Sequence, residues 1–596
     1  MNVLDLVTPP SLVMCRHETS CGTTMSLLKK ILDSWPGRRL FGWRVRRQLA
    51  HFEALTHRPR AAQDALLRRI VAQQAQTDFG REHGFASVSS REDFRRQVPV
   101  LRYEDLEPYI ARCRRGEFGA LLAEPRVHMF AMTSGTTAAR KYIPVTPQYL
   151  CDYQRGWNAW GFRVWQDHPE VRLRPIVQFA GNWNEFQTEA GIPCGALTGL
   201  TAHLQKRVVR WLYCTPTVAT DIKDARAKLY VTLRFSVERE VGMLIAANPS
   251  SLIALARSGD QEKETLIRDL YEGTISPDIG IPEDIRAALA RRLRPNPPLA
   301  RKLEAVARRT GRLYPRDFWN SSPFLIGTWT GGSVGAYVRQ LPEYYGQVPI
   351  RDIGLIASEG RMTIPFADGT PSGLLDIQSH YFEFVPEGEI DSDRPTVLSA
   401  DEVEVGRKYF VLLTTAYGLY RYSIRDLILI TGFHNRTPLV EFLSKGASFS
   451  NLTGEKVSEY HVTKAMDELC HSFNLNLTSY GLAPCWNEVR PYYGLFLEAG
   501  DLSDRDQGRR LVHVLDQRLS EINYEYANKR QSLRLGALRL QLVPGGAWHE
   551  WDRRRLAQTG GTWEQYKHPC LINDLKFRDT MTVLEEIGPL PPSSAA

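Results

Sequence analysis

Apolar residues recur at helical spacing along much of the chain. Leu66, Leu67, Ile70 and Val71 share one face of residues 60–76, which predicts a helix stopping at Thr77-Asp78-Phe79-Gly80 with the glycine as terminator. Residues 103–115 predict a second helix, with Glu104 and Asp105 in its first turn and arginines in its last, an order that complements the helix dipole. Residues 147–165 predict a third, rich in aromatic rings. Short apolar runs at 126–131, 175–180, 325–328, 353–360 and 408–415 predict strands. Strand and helix patterns alternate between 171 and 330, which argues for a layered α/β fold. Residues 408–422 read as strand, turn at Ala416–Leu419, and strand, with Asp426 opening the apolar run 427–431. The polar, glycine-punctuated stretch 443–458 places a boundary near Gly446. Beyond it, helices at 459–471 and 507–523 and strands near 478–482 and 491–497 predict a smaller α/β unit.

Length adds domain count to this picture. A chain of 596 residues is expected to form roughly two to four domains. The division read here is an irregular tail at 1–24 (or residues upstream of a start at Met25), a large domain at 25–445 and a small one at 446–596. The net charge of +8 is mild for this length and falls short of the concentrated basic face that nucleic-acid binding needs. Arg38–Leu49 interleaves arginines with aromatics; it reads as a membrane-surface helix or, more plainly, as a helix with one solvated basic face. The nine cysteines form no C-x-x-C pair, which points to reduced thiols and a cytoplasmic protein rather than a disulfide framework or zinc site. No apolar run reaches the roughly 18 residues of a membrane span, and the N-terminus lacks a secretory signal pattern.

Candidate chemistry centres on Thr133-Ser134-Gly135-Thr136-Thr137-Ala138-Ala139-Arg140-Lys141, a hydroxyl-rich loop leaving a strand. Successive backbone N–H groups in such a loop converge on anions, and Ser134, Thr136, Thr137 and Lys141 suit nucleotide phosphates. The Walker spacing is absent, and an ordinary Ser/Thr turn stays open on this stretch alone. Thr330-Gly331-Gly332-Ser333 opens a helix, where its glycines permit close ligand approach or simply a turn. Ser358-Glu359 ends an apolar strand, a place where ligands bind in open α/β sheets; Glu359 is either a magnesium carboxylate or a surface charge. Asp426 is either an acceptor for ribose hydroxyls or a turn aspartate. Trp157, Trp160 and Trp329 suggest an aromatic-lined pocket, with core packing as the other reading.

Taken in order, these motifs resemble the GH3 auxin-responsive family of acyl-acid amido synthetases, within the adenylate-forming superfamily. The resemblance also takes in Thr77–Phe85, Val98–Val100, Tyr103–Asp105, Gly116-Glu117, Tyr420–Asp426 and Gly454–Lys456, and covers residues 60–460 best. It implies a large domain of two β-sheets with helices, binding nucleotide and acyl group, and a smaller mobile C-terminal domain. It implies phosphate contacts from Ser134, Gly135, Thr136, Thr137 and Lys141, and a magnesium site at Glu359 beside Ser358. A ribose contact falls to Asp426, flanked by Tyr420 and Arg421. Gly332 and Ser333 would lie near adenine and the acyl group, Lys456 in the hinge, and Lys567 would be the family's C-terminal lysine. The implied reaction uses ATP and Mg²⁺ to make an acyl-adenylate, then transfers the acyl group to an amino acid or other amine. Transfer to coenzyme A, and a non-catalytic binding role, are the alternatives. The sequence departs from the family pattern at Ala138 and Arg425, where glycine is usual, at Arg140, where proline is usual, and at Leu355, where tyrosine is usual. Neither the acid nor the acceptor is legible, and no oligomeric state is implied.

Overall fold

A computed structural model describes residues 35–588 except 134–140, 206–209, 320–322, 391, 393, 446–448, 451, 454, 456, 488–489, 532–534 and 560–565. The expected tail at 1–24, Gly446 and Gly454 lie outside the described residues.

Among the described residues, three sheets of four or more strands and one two-stranded hairpin build the part of the chain before residue 446. Ile176–Gln178, Met243–Ile245, Leu325–Gly327 and Ile350–Arg351 form a wholly parallel sheet in chain order. Both faces of such a sheet must be covered, and helices including Ala225–Ser236, Pro249–Gln261 and Gly335–Tyr345 share a hydrophobic cluster with it. A seven-stranded antiparallel sheet centres on the long pair Tyr422–His434 and Thr437–Lys445. A four-stranded sheet pairs Met129–Thr133 with Lys141–Val145 in antiparallel register, Thr133 opposite Lys141. The last two sheets share the largest cluster, to which Pro147–Asp167 contributes Tyr149, Tyr153 and Trp160. Residues 457–587 add a mixed four-stranded sheet with its own clusters.

The predicted helices occur as Pro59–Gln74, Tyr103–Arg114, Pro147–Asp167, Glu459–Ser472 and Arg505–Ile522. Four local expectations change. Gly80 terminates nothing: it lies inside the short helix Asp78–Glu82, and a Cβ there would stand 2.1 Å from the Gln74 carbonyl oxygen. Its role is close approach between two helices, not a left-handed cap. Ser358-Glu359 follows a strand, but not one of the parallel sheet; it is the turn of the small hairpin Ile356–Ala357/Gly360–Arg361. Asp426 opens no new strand after a turn; it lies within Tyr422–His434, opposite Lys445. The strand before the hydroxyl loop begins at Met129 rather than at 126.

Candidate functional site

The carboxyl ends of the four parallel strands open on one cavity of about 670 Å³. Phe179, Ala247, Trp329 and Asp352, each just past a strand end, form its floor. Ligands of open α/β sheets bind at this position, because the chain diverges there into loops with unsatisfied polar groups. The antiparallel sheet supplies the opposite wall through Ser423–Asp426, Val440 and Phe442. Lys141, Ser358, Glu359, Asp426 and Lys567 all line the cavity. Five of the residues singled out in the sequence, drawn from 141 to 567, therefore meet at one site.

Buried tyrosines hold the Ser358-Glu359 turn. Tyr149 donates its hydroxyl to the Ser358 carbonyl at 2.9 Å, and Tyr417 donates to the Glu359 carbonyl at 3.2 Å. Their rings pack at 4.7 Å. The turn closes because residue 360 is glycine: its φ is 140°, and a Cβ would meet His380 Nε2 at 2.7 Å. Tyr422 donates to Glu359 Oε1 at 3.4 Å. Ser358 Oγ reaches the Met132 carbonyl at 3.4 Å, tying the turn to the strand that leads into the hydroxyl loop. Glu359 is buried at 5% exposure yet faces the cavity, and no group of three or more His, Cys, Asp or Glu suited to a metal occurs among the described residues. A single carboxylate with room beside it fits a magnesium ion that takes its remaining oxygens from phosphate and water.

Asp352 lines the same cavity with the opposite duty. Its Oδ2 accepts from the Thr330 N–H at 2.7 Å and the Thr330 hydroxyl at 2.8 Å, and its Oδ1 accepts from the Gly354 N–H at 2.6 Å. One carboxylate thus clips the start of the Thr330–Ser333 segment to the start of the loop leading to Glu359. Trp160 fixes it from behind, donating Nε1–H to the Asp352 carbonyl at 2.8 Å. Burial pushes the Asp352 carboxyl up to about 6, against the pull of those donors.

The Tyr420–Asp426 motif divides into core and wall. Tyr420 is fully buried and donates its hydroxyl to the Leu121 carbonyl at 3.0 Å. Arg421 is also buried; its Nε donates to Glu383 at 2.9 Å and its guanidinium to the Val98 carbonyl at 2.6 Å. Neither lines the cavity; both anchor the strand that carries Asp426. Arg425 lines the cavity with φ at 57°, a left-handed conformation that costs a non-glycine residue ~1–2 kcal/mol.

The C-terminal segment reaches into the cavity as well. Lys567 places Nζ 4.1 Å from the centroid of Trp329 and 4.8 Å from that of Phe442. Asn248 donates its amide to the Tyr566 carbonyl, and Tyr566 donates its hydroxyl to Asp552 at 2.6 Å. Trp157 and Trp329 line the cavity, whereas Trp160 lies in the core beneath it. Gly332, in the left-handed region at φ 65°, sits against Phe442. Lys141 holds Nζ over the Tyr103 ring at 5.4 Å, at the edge of the segment 134–140. Ser134, Gly135, Thr136, Thr137 and Lys456 lie outside the described residues, as does the side chain of Ser333.

The sequence profile of the GH3 family N-terminal domain matches residues 48–350, that of the central domain 373–445, and that of the C-terminal domain 460–576. The chain belongs to the GH3 family. Among GH3 relatives, jasmonoyl–L-amino acid synthetase JAR6 of Nicotiana attenuata is 25% identical over 547 residues, covering 88% of this chain and 93% of that protein. A probable indole-3-acetic acid-amido synthetase, GH3.12 of Oryza sativa subsp. japonica, is 27% identical over 573 residues, covering 88% and 93%. The solved structure of the GH3.15 acyl acid amido synthetase superposes with a TM-score of 0.79 at 22% identity, covering 91% of this chain and 97% of that one, and so shares its fold. Against this GH3 frame, sequence reasoning missed Asp352 and the tyrosines at 149 and 417. Asp352 directly follows the two-residue strand Ile350–Arg351, which the apolar pattern did not predict.

Proposed function

We propose that this protein is an ATP-dependent, AMP-forming ligase that activates a carboxylic acid as an acyl-adenylate and passes the acyl group to the amine of an amino acid. The observation that carries this reading is the convergence of Lys141, Glu359, Asp426 and Lys567 on one cavity at the ends of the parallel strands. Relatives named as synthetases of jasmonoyl amino acids and of indole-3-acetic acid amides support the reaction class.

In the first step a substrate carboxylate oxygen attacks the α-phosphorus of ATP, and the bond to pyrophosphate breaks. Two anions must meet, so the site must supply positive charge. Lys141, with Ser134, Gly135, Thr136 and Thr137, takes the departing pyrophosphate. Asp426 accepts the ribose hydroxyls, and Gly332, Ser333 and Ser358 bound the adenine and acyl ends. Glu359 is the magnesium carboxylate. Magnesium bound there would neutralise phosphate charge during the transfer. Lys567 brings a cation from the C-terminal domain, and Lys456 belongs to the hinge on which that domain turns. In the second step the amine attacks the acyl carbonyl, AMP departs, and the amine loses a proton. The rings of Tyr153, Trp157 and Phe179 give the acid an apolar, aromatic wall.

Product mass tests the reading. Purified protein with ATP, Mg²⁺ and a panel of aromatic and aliphatic acids is expected to yield an amide and AMP when amino acids are added. A thioester with coenzyme A in place of the amide would overturn the acceptor, and nucleotide binding with no pyrophosphate release across the panel would overturn the ligase reading.

A further inference from the structure

Two arginines four residues apart in one motif adopt left-handed backbone, Arg421 at φ 43° and Arg425 at φ 57°. Arg421 has a structural reason. It is buried, paired with Glu383 and bonded to carbonyls of the segment before Tyr103, so its conformation is over-determined by the core. Arg425 is half-buried on the cavity wall, next to Asp426 in the chain. Glycine takes this conformation without a Cβ clash, and glycine is the residue the family resemblance places here. A long charged side chain kept at a strained position facing a ligand cavity signals a functional constraint.

A second observation points to the same ligand. Ser423 lies two residues earlier on the strand and lines the same cavity. It is 7% exposed, and its hydroxyl has no partner among the described residues. A buried hydroxyl without a partner costs stability unless something bound supplies one. An arginine and a hydroxyl together suit a tetrahedral oxyanion, because the guanidinium offers parallel N–H donors. The anion nearest a ribose held at Asp426 is the phosphate on its own 5′ carbon.

We propose that Arg425 and Ser423 bind the α-phosphate of the nucleotide, so that this chain adds a cation where the family pattern has none. The proposal rests on the reading of Asp426 as the ribose acceptor. Arg425 would then lower the repulsion between the incoming carboxylate and the phosphate it attacks.

Calorimetric titration of the full chain with adenosine and with AMP separates the two readings. Arg425→Gly is expected to lose ~10-fold in AMP affinity, a change of about 1.4 kcal/mol, and to keep its adenosine affinity. Its thermal midpoint should stand at or above the parent's, since glycine relieves the left-handed strain. Arg425→Lys, which keeps the charge, should retain part of the AMP affinity, and Ser423→Ala should lose several-fold for AMP alone. Asp426→Ala should weaken adenosine and AMP alike; unchanged adenosine affinity in that variant would overturn the ribose reading instead. Equal losses for adenosine and AMP in Arg425→Gly, or no loss for either, would overturn the phosphate assignment. So would unchanged AMP affinity with a raised KM for the acid, which would move the guanidinium to the substrate carboxylate.

Discussion

Replacing Asp352 by asparagine is expected to lower turnover while leaving stability at neutral pH nearly unchanged. The carboxylate accepts three hydrogen bonds, from the Thr330 N–H, the Thr330 hydroxyl and the Gly354 N–H. An asparagine oxygen can keep one side of this clip, but its NH₂ then faces a donor on the other. Leaving a buried donor unmatched costs ~1–3 kcal/mol, and loss of charge assistance adds to that. Against this, burial raises the Asp352 carboxyl from 3.8 to about 6, which makes the charged form cost ~3 kcal/mol at neutral pH. Asparagine removes that cost, so the two effects offset to within about 1–2 kcal/mol. Geometry receives no such compensation: the Thr330–Ser333 segment and the loop to Glu359 lose their common anchor. A displacement on the order of 1 Å in positioning groups lowers turnover ~10²-fold. Pyrophosphate-release kinetics and thermal midpoints, measured on the same preparations, check both halves. The pH dependence has a definite sign. Between about pH 4 and 6 the folded chain holds a proton on Asp352 that the unfolded chain has lost. The stability this group contributes is therefore full below about pH 4 and is lost as pH rises to about 6, so the parent should fall relative to Asp352→Asn across that window. Unchanged turnover in the variant, or a midpoint difference that does not move between those pH values, would refute the reasoning.

Three further outcomes follow from the same geometry. Glu359→Gln should cut pyrophosphate release ~10²–10³-fold and raise the Mg²⁺ concentration needed for half-maximal ATP binding, measured by calorimetry. Arg421→Met should destabilise by ~3–5 kcal/mol in urea titration, because Glu383 keeps its buried charge with Arg95 as its remaining partner, while nucleotide affinity in the folded protein stays unchanged. Lys567→Ala should slow acid-dependent pyrophosphate release ~10²-fold in rapid-quench assays without altering the affinity for adenosine.

The elements with strong local signals were readable from the chain. The aromatic helix Pro147–Asp167 and the helix Tyr103–Arg114, with acids first and arginines last, matched their patterns because apolar spacing and capping are local properties. The site was legible in part. Glu359 and Asp426, both singled out in the sequence, line the cavity, but the same motif logic carried along Tyr420 and Arg421, which serve the core. A motif records which residues travel together, not which of them faces the ligand. The clamp on Glu359 was out of reach for a different reason: Tyr149 and Ser358 are 209 positions apart, and only the packing of the aromatic helix beneath the hairpin brings them together. Asp352 was hidden because two of its three donors are backbone N–H groups, which have no sequence signature. Gly80 was misread because a close approach and a left-handed cap call for the same residue.

The most direct test of the account is a crystal structure of the protein with AMP. It should show the nucleotide in the cavity at the ends of the parallel strands, with the ribose hydroxyls on the Asp426 carboxylate and the phosphate turned toward Lys141 and Glu359. A nucleotide bound elsewhere, or one in this cavity with its ribose away from Asp426, would contradict it.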